Sequence, residues 1–508
     1  MFQKLKELSV NLSVYGVGDV AIQIASFLLL PLYVRVLSPA DYGIIAVLFI
    51  VEQLLRVFYR WGVDAAFMRF YYDCADTRAR QTLASTIFYF LIVVSGSALA
   101  AGLAASGWLS VVLFDSSAWA LPLRLVFLNA FLGSLSFLPF HVLRIEGRAR
   151  AFIALTFSTN LATLITKLVL VAGLRMGVVG VFVADTIVAA GVLVVLAPRF
   201  AALIRPRFSR PLLRACLAFG LPRLPHGAAH QVIAGADRYI LSLFVPLGAV
   251  GVYNVGASLG LGLKLFLSAF ETAWAPFYFA EMGTPRAKEL FRTVTTYGVL
   301  VLALLTAGLA ATARDIVRLM TTPQFYGAAD IVPWIGLSVA FQGVYLLTSI
   351  GINITKKTMY YPAATGLAAA TSVALNLILI PRFGIQGAAW ANVCAYAVLM
   401  GSAWYFSQRV YPMTYEWGRL ASVAAAAVVA AAAGQNILPP TVPPLPGVLV
   451  RGTVAVASFA VTLAVLGFFQ PREIGRLRSL GSILLSPAAR RSKLAQRNSA
   501  DGEDHGGD

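Results

Sequence analysis

The sequence predicts an all-α polytopic membrane protein with about fourteen transmembrane helices. Of its 508 residues, 59% are hydrophobic and only 12% are charged, whereas a soluble domain carries about twice that charged fraction. Apolar runs of about 20 residues recur along the chain, which is the length of a helix that crosses a bilayer. Strands of a membrane barrel would give shorter segments of alternating polarity, so the predicted spans are helices.

The predicted spans are joined by short connections, without a long soluble insertion. A short basic segment precedes the first span, which is too long for a cleavable signal and has no small-residue cleavage site, so we expect this helix to be retained. The predicted boundaries are 13–34, 42–60, 82–106, 119–142, 151–173, 178–198, 215–236, 248–271, 293–313, 330–352, 360–380, 386–408, 417–434 and 447–469.

The distribution of positive charge predicts the orientation of the chain. Of the 40 Lys and Arg residues, 28 lie in segments on one side of the predicted spans, eight lie on the other side and four lie within spans. Because Lys and Arg are enriched on the cytoplasmic side, we expect both termini in the cytoplasm, which requires an even number of spans. Topology therefore explains the net charge of +18, and no nucleic-acid partner is predicted.

Two short segments that recur later in the sequence predict an internal repeat. The segment Arg175–Gly180 (RMGVVG) recurs as Arg382–Gly387 (RFGIQG) at an offset of 207, and Thr77–Arg80 recurs as Pro285–Lys288 at an offset of 208. Six predicted spans separate the copies, so both halves would cross the membrane in the same direction, with a site at their interface. The predicted organisation has five parts. They are a six-helix lobe (1–200), a basic cytoplasmic linker (201–214), a second six-helix lobe (215–410), two appended helices (411–470) and a partly disordered cytoplasmic tail (471–508).

Ionisable residues within the spans are the candidate functional residues, because a charge inside a bilayer is costly. In the second span, Glu52, Arg56 and Arg60 follow one another at i, i+4 spacing and share one face. Glu52 and Arg56 have a structural alternative, in which the two charges only neutralise each other. Asp19 in the first span is a further candidate.

The seventh span carries a polar stripe. Arg223, His226, His230 and Asp237 fall within about 60° of each other on a helix, and the run from Gly220 to Gly227 (GLPRLPHG) contains two prolines. Broken helices of this kind often line transporter sites. An ordinary proline kink is the equally weighted alternative.

Three of the cations are predicted to lie in the same half of the membrane. Arg56, Arg223 and Lys264 would all lie in the cytoplasmic half of a hydrocarbon core about 30 Å thick. They belong to both halves of the repeat, and arginine suits phosphate because its planar fork binds two oxygens. We therefore predict a cationic cavity that receives an anionic headgroup from the inner leaflet.

Other charged groups in the spans receive different interpretations. Asp19, Glu52, His226, His230 and Glu271 are candidates for ion coupling, the two histidines because imidazole titrates near neutral pH. Lys167 and Asp185 lie at similar depth in adjacent spans, and we expect them to form a structural ion pair.

Enzyme motifs are not found in the sequence. It has no HExxH, nucleophile elbow or Walker loop, and its three cysteines have no metal-binding spacing. No catalytic residue, metal site or cofactor is predicted.

Three segments carry a resemblance to a known family. They are Leu29–Gly43 (LLPLYVRVLSPADYG), Phe219–Pro222 (FGLP) with Asp237–Leu241 (DRYIL), and Val250–Asn254 (VGVYN). With these segments the chain resembles the Wzx-like oligosaccharide flippases, the polysaccharide-transport branch of the MATE-type MOP superfamily. The resemblance spans the first twelve predicted helices, and it marks Asp237 and Arg238 as family motif positions.

The resemblance implies a function that the residues alone do not. It implies that the chain moves undecaprenyl-diphosphate-linked oligosaccharide from the cytoplasmic to the periplasmic leaflet of a bacterial inner membrane by alternating access. The product would serve O-antigen (lipopolysaccharide), exopolysaccharide or capsule biosynthesis, with membrane lipids, a polysaccharide polymerase and chain-length machinery as partners. The alternatives are a MATE-type small-molecule exporter, a membrane ligase or polymerase of lipid-linked sugars, and a scaffold without transport.

Overall fold

The computed structural model describes residues 30–439 and 441–469, and every regular element within these residues is helical. Residues 30–36 form the helical end of the first predicted span. The helices that follow are α1 Pro39–Arg60, α2 Val63–Tyr71, α3 Thr77–Phe114, α4 Ala120–Ile145, α5 Ala149–Lys167, α6 Gly177–Leu203, α7 Arg210–Gly220, α8 Leu224–Phe244, α9 Leu247–Gly260, α10 Lys264–Glu281, α11 Ala287–Met320, α12 Val332–Thr348, α13 Ile350–Ile354, α14 Tyr360–Val410, α15 Trp417–Asn436 and α16 Pro444–Val465.

The predicted all-helical membrane fold is confirmed. Eleven segments of the described residues are long and apolar enough to cross a membrane. One of them, α14, contains the non-helical residue Gly384 and so combines two predicted spans, 360–380 and 386–408. The seventh predicted span, which is α7 and α8 in the structure, is not among the eleven segments. It nevertheless packs along the bundle, with α8 against α1 and α14.

Two of the predicted spans are broken by 3-10 turns. Between α7 and α8 the chain forms a 3-10 turn, Leu221–Arg223, which contains Pro222. The predicted interruption is therefore present. A second 3-10 turn, Leu261–Leu263, separates α9 from α10. This span contains no proline that would have predicted the second break.

Glycines at equivalent positions support the predicted parallel repeat. Gly177 begins α6 with φ +59°, and Gly384, 207 residues later, has φ +56° within α14. Only glycine adopts such a left-handed conformation without strain. A glycine with positive φ therefore stands where the last helix of each half begins.

A reciprocal contact between α1 and α9 shows that the repeat axis passes between these two helices. A Cβ atom on Gly43 would lie 2.0 Å from the carbonyl oxygen of Leu247, and one on Gly251 would lie 1.9 Å from that of Pro39. Gly43 and Gly251 are 208 residues apart, as are Pro39 and Leu247. Each helix thus presents the same two positions to the other, as a pseudo-two-fold axis between equivalent helices requires.

The two halves share one core cluster at the end where α1 and α9 begin, which we call the closed end. Its large buried side chains come from both halves and include Tyr42, Phe114 and Phe182 together with Tyr253 and Phe325. The rings of Tyr42 and Phe325 are 5.9 Å apart at their centroids. This cluster joins the halves across the repeat axis.

At the other end the cores are separate. This basic end contains the α1–α2 turn, the start of α3 with Arg78 and Arg80, and the connection between α6 and α7 with Arg205 and Arg207. One cluster there comes from α2, α3, α4 and α7 and includes Phe67 and Phe137, and another comes from α10 to α13 and includes Trp274 and Phe291. Within the described residues, no core cluster at this end joins the two sets of helices.

The hairpin of α15 and α16 is attached to α11 by a buried ion pair. Arg451 is 2% exposed and Asp315 is 1% exposed, and Arg451 Nε lies 2.9 Å from Asp315 Oδ2. The same guanidinium donates to the carbonyl oxygens of Gly434 at 3.1 Å and Leu438 at 2.7 Å. Arg451 therefore caps the end of α15 while it holds the hairpin against α11.

Candidate functional site

A cavity of about 350 Å³ lies at the basic end between α1 and α8. Helices from both halves of the repeat form its walls, and its lining is rich in polar groups. The lining residues are Gln53, Arg56, Val57, Arg60, Gly62, Asp64, Ala65, Arg223, Leu224, Gly227 and Gln231. Two of the three predicted substrate-binding cations, Arg56 and Arg223, therefore face one cavity.

A close backbone contact brings these two elements together. Helix α1 ends in a left-handed turn, with φ +49° at Trp61 and φ +70° at Gly62. A Cβ atom on Gly62 would lie 2.3 Å from the carbonyl oxygen of Gly220, and one on Gly220 would lie 2.6 Å from that of Gly62. The turn after α1 thus rests on the end of α7. The 3-10 turn that follows carries Arg223 into the cavity.

Arg56 makes the predicted pair with Glu52. The Arg56 Nη2 to Glu52 Oε1 distance is 2.6 Å, and the side chain of Arg56 is 43% exposed while that of Glu52 is 4% exposed. The carboxylate is buried behind the cavity wall and the guanidinium is at its surface. The predicted ion pair is therefore present, and Arg56 also lines the cavity.

Arg60 is a third cavity cation that the sequence analysis did not select as a site residue. Its guanidinium carbon lies 5.5 Å from the centroid of the Phe137 ring, and its nearest carboxylate oxygen, on Asp64, is 3.9 Å away. The i, i+4 spacing from Arg56 was the signal that pointed to it. Arg60 is the last residue of its predicted span, so it was not among the cations predicted to lie within the hydrocarbon core.

Arg223 is exposed to the cavity. Its guanidinium carbon lies 4.5 Å from the centroid of the Phe219 ring, so the side chain is positioned by a cation–π contact across the break between α7 and α8. Arg223, Leu224 and Gly227 all line the cavity. The interrupted segment is therefore a wall of the cavity.

The other predicted residues lie apart from this group. Lys264 begins α10, is half-buried, does not line this cavity and has Arg238 as its electrostatic neighbour. Glu271 is exposed on the same helix, and His230 is exposed on α8. His226 lies in the first turn of α8, and Asp19 lies outside the described residues.

The family motif residues form a buried polar network. Asp237 is 2% exposed, pairs with Arg238 at 3.0 Å and accepts a hydrogen bond from the Tyr253 hydroxyl. Arg238 Nε donates to Asn254 Oδ1 at 2.9 Å, and the Asn392 amide lies 3.5 Å from Asp237. These contacts fasten α8 to α9 and to the second half of α14. In this structure, Asp237 therefore belongs to the core and not to the cavity wall.

The predicted ion pair in the first half of the chain is present. Lys167 Nζ lies 2.8 Å from Asp185 Oδ1, with both side chains at most 20% exposed. The pair connects the end of α5 to α6.

Electrostatically, the cavity offers three guanidinium groups and one lining carboxylate, Asp64. Glu52 balances Arg56 from behind the wall. Arginine binds phosphate oxygens through two parallel N–H donors, and an excess of cations in a recess surrounded by helices raises the local concentration of anions. This arrangement suits a phosphorylated ligand better than a cationic one.

Comparison with known sequences gives one family and one curated relative. The family described as polysaccharide biosynthesis protein matches residues 32–330, more than half of the chain. An uncharacterized membrane protein of Methanocaldococcus jannaschii is 26% identical over 209 residues. That match covers 38% of this chain and only 39% of the length of the relative.

Comparison with solved structures identifies the fold. The lipid II flippase MurJ, in an inward closed conformation, is similar with a TM-score of 0.68 at 14% identity, over 88% of this chain and 99% of that one. A multidrug resistance MATE family transporter of the MOP superfamily, in an inward-facing conformation, has a TM-score of 0.64 at 14% identity, over 79% of this chain and 95% of the other. At these identities the likeness shows a shared fold and no more.

Proposed function

Because the chain belongs to the polysaccharide biosynthesis protein family, we propose that it is a flippase for oligosaccharide units linked to a lipid diphosphate. The units would move from the cytoplasmic to the outer leaflet of a bacterial inner membrane. An undecaprenyl carrier and O-antigen, exopolysaccharide or capsule repeats are the specific cargo that we propose. The family and the fold together support the coarser statement that the chain is a membrane flippase or transporter.

The observation that carries the proposal is the cavity lined by Arg56, Arg60 and Arg223. Its guanidinium groups are opposite in charge to a diphosphate. Its position between α1 and α8 lets both halves of the repeat contact one ligand. By the bias of positive charge we assign the basic end to the cytoplasm. A headgroup in the inner leaflet would then meet the cavity first.

The packing of the two ends supports a mechanism of alternating access. The closed end is held by the shared cluster around Tyr42, Tyr253 and Phe325, and the basic end has separate cores. Translocation requires the shared cluster to open while the separate cores approach each other. The 3-10 turn Leu221–Arg223 is positioned to act as a hinge, because it links α7, packed on α2, to α8, packed on α14.

The same cavity weighs against the alternatives. A MATE-type exporter of cationic drugs would bring a positive ligand to three guanidinium groups, at an electrostatic cost. A ligase or polymerase would require reacting groups beside the cations. Among the lining residues whose side chains the structure describes, Asp64 is the only one with an acidic, nucleophilic or imidazole group.

We would test the proposal in the host by deleting the gene and complementing it with wild type, Arg223→Gln or Arg214→Gln. Arg214 is exposed on α7 at the same end but does not line the cavity, so it is a matched control. Lipid-linked oligosaccharide would be measured in each leaflet, together with surface polysaccharide. All variants would be compared at equal membrane abundance.

The expected result is that lipid-linked units accumulate in the cytoplasmic leaflet of the deletion strain. Wild type and Arg214→Gln should restore export, and Arg223→Gln should restore it weakly. Normal leaflet distribution in the deletion strain, with unligated or unpolymerised units outside, would instead establish the enzyme alternative. Equal rescue by both variants would remove Arg223 from the substrate path.

A further inference from the structure

A second recess at the basic end lies away from the cavity. It occupies about 310 Å³ between the start of α3 and the ends of α4 and α6. Its lining shares no residue with the cavity between α1 and α8. We call it the arginine groove, because Arg80, Arg148 and Arg199 line it.

The charges in the arginine groove are only partly balanced. Arg148 Nε lies 3.0 Å from Glu146 Oε2, and both of these side chains are more than one third exposed. Arg80 lies over the Tyr71 ring, 5.1 Å from its centroid. Arg199 is exposed near the end of α6, and no ion pair or hydrogen bond joins it to the residues that the structure describes. Three cations against one carboxylate leave a net charge of about +2.

Much of the remaining wall is apolar, although Thr77 and Gln81 also line it. Pro139, Val142 and Leu143 of α4 and Leu203 of α6 line the groove beside the arginines. Helices α3, α4 and α6 all belong to segments that are long and apolar enough to cross a membrane. In a membrane, their basic ends would lie where lipid headgroups meet acyl chains, so the groove would offer cations to the headgroup and apolar surface to the first part of the chain.

We propose that the arginine groove binds the phosphate of an anionic phospholipid in the leaflet at the basic end. Arginine forks bind phosphate oxygens in pairs, and basic pockets between transmembrane helices recognise anionic headgroups. This ligand is a resident membrane lipid, so the inference does not depend on what the cavity between α1 and α8 transports. Bound there, the lipid connects the ends of α4 and α6.

The test uses the purified full-length protein, stripped of lipid in a neutral detergent. Binding of 1-palmitoyl-2-oleoyl phosphatidylglycerol is measured by native mass spectrometry and by thermal stabilisation, with the matching phosphatidylcholine as the neutral lipid. The variants are Arg80→Gln with Arg199→Gln, and Glu146→Gln. Arg78→Gln is the control, because Arg78 is exposed two residues before Arg80 but does not line the groove.

The phosphatidylglycerol lipid should bind more tightly than the phosphatidylcholine. The double arginine variant should weaken binding of the anionic lipid about tenfold or more, the loss expected when two charge-assisted contacts are removed. Glu146→Gln should strengthen binding, because it removes the one carboxylate. Arg78→Gln should leave the affinity unchanged.

Three results would overturn the inference. They are equal affinity for the anionic and neutral lipids, wild-type affinity in a correctly folded double variant, and an equal loss in Arg78→Gln. A separate arm adds inorganic phosphate or glycerol 3-phosphate. Failure of these soluble anions to displace the lipid supports a headgroup site, whereas full displacement at equal concentration would assign the groove to a free phosphate compound and overturn the lipid proposal.

Discussion

The two cavity arginines on α1 and α8 should respond differently to neutralisation. Arg56→Gln leaves the carboxylate of Glu52 buried without its partner at 2.6 Å, whereas Arg223→Gln removes only a cation–π contact to Phe219 from an exposed side chain. Removing one partner of a fully buried ion pair costs about 3–5 kcal/mol. Arg56 is 43% exposed, so water at the cavity surface reduces the expected cost to about 2–3 kcal/mol.

The loss of the cation–π contact is smaller. An exposed contact of this type contributes about 0.5–1 kcal/mol. With an unfolding entropy of about 2.1 cal/mol/K per residue, 2–3 kcal/mol corresponds to a decrease of about 2–3 °C in Tm for a chain of this length. The expected decrease for Arg223→Gln is below about 1 °C.

A double variant separates stability from transport. Glu52→Gln with Arg56→Gln removes both charges, so no unpaired charge remains buried and Tm should return close to that of wild type. Transport should remain impaired, because the cavity still has one cation fewer. Tm would be measured by fluorescence-detected size exclusion of the purified protein, and transport by the leaflet assay described above.

Two outcomes would refute this reasoning. Equal Tm values for Arg56→Gln and Arg223→Gln would mean that the pair with Glu52 contributes nothing to stability. Full transport by the stable double variant would mean that the charge of Arg56 does not act on the cargo.

Three further variants test the packing around the cavity. Gly251→Ala should reduce transport and lower the free energy of unfolding by about 1–3 kcal/mol, because the added Cβ would lie 1.9 Å from a carbonyl oxygen of α1. Gly248→Ala is the control and should be tolerated, because its added Cβ would lie 3.8 Å from the nearest atom. Arg451→Met should lower the thermal stability more than any cavity substitution, because it leaves Asp315 unpaired in the core and uncaps α15; unchanged Tm would exclude a stabilising role. Asp237→Ala should reduce the folded yield in detergent, since this carboxylate joins α8 to α9 and α14, and a stable but inactive protein would instead assign it to transport.

Several features of the site were already present in the sequence. The hydropathy pattern predicted the helices because a bilayer requires about 20 apolar residues for each span, and the spacing of Glu52 and Arg56 predicted their pair because i and i+4 share a helix face. The two recurring sequence segments, at offsets of 207 and 208 residues, predicted a parallel repeat. The prolines around Arg223 predicted the broken helix, because proline removes a backbone donor and clashes with the preceding turn.

Tertiary structure decided which of these groups meet. Arg60 and Arg223 line one cavity because Gly62 and Gly220 let two backbones approach closely, and a contact between distant segments has no local periodicity that reveals it. Lys264 was predicted in the same cytoplasmic half of the membrane as Arg56 and Arg223, yet it does not line this cavity, because depth in a membrane gives no position around the bundle. The sequence by itself determined the fold class, the pairing of local charges and the position of the broken helix, whereas the cavity depended on how helices from two halves of the chain pack across the repeat axis.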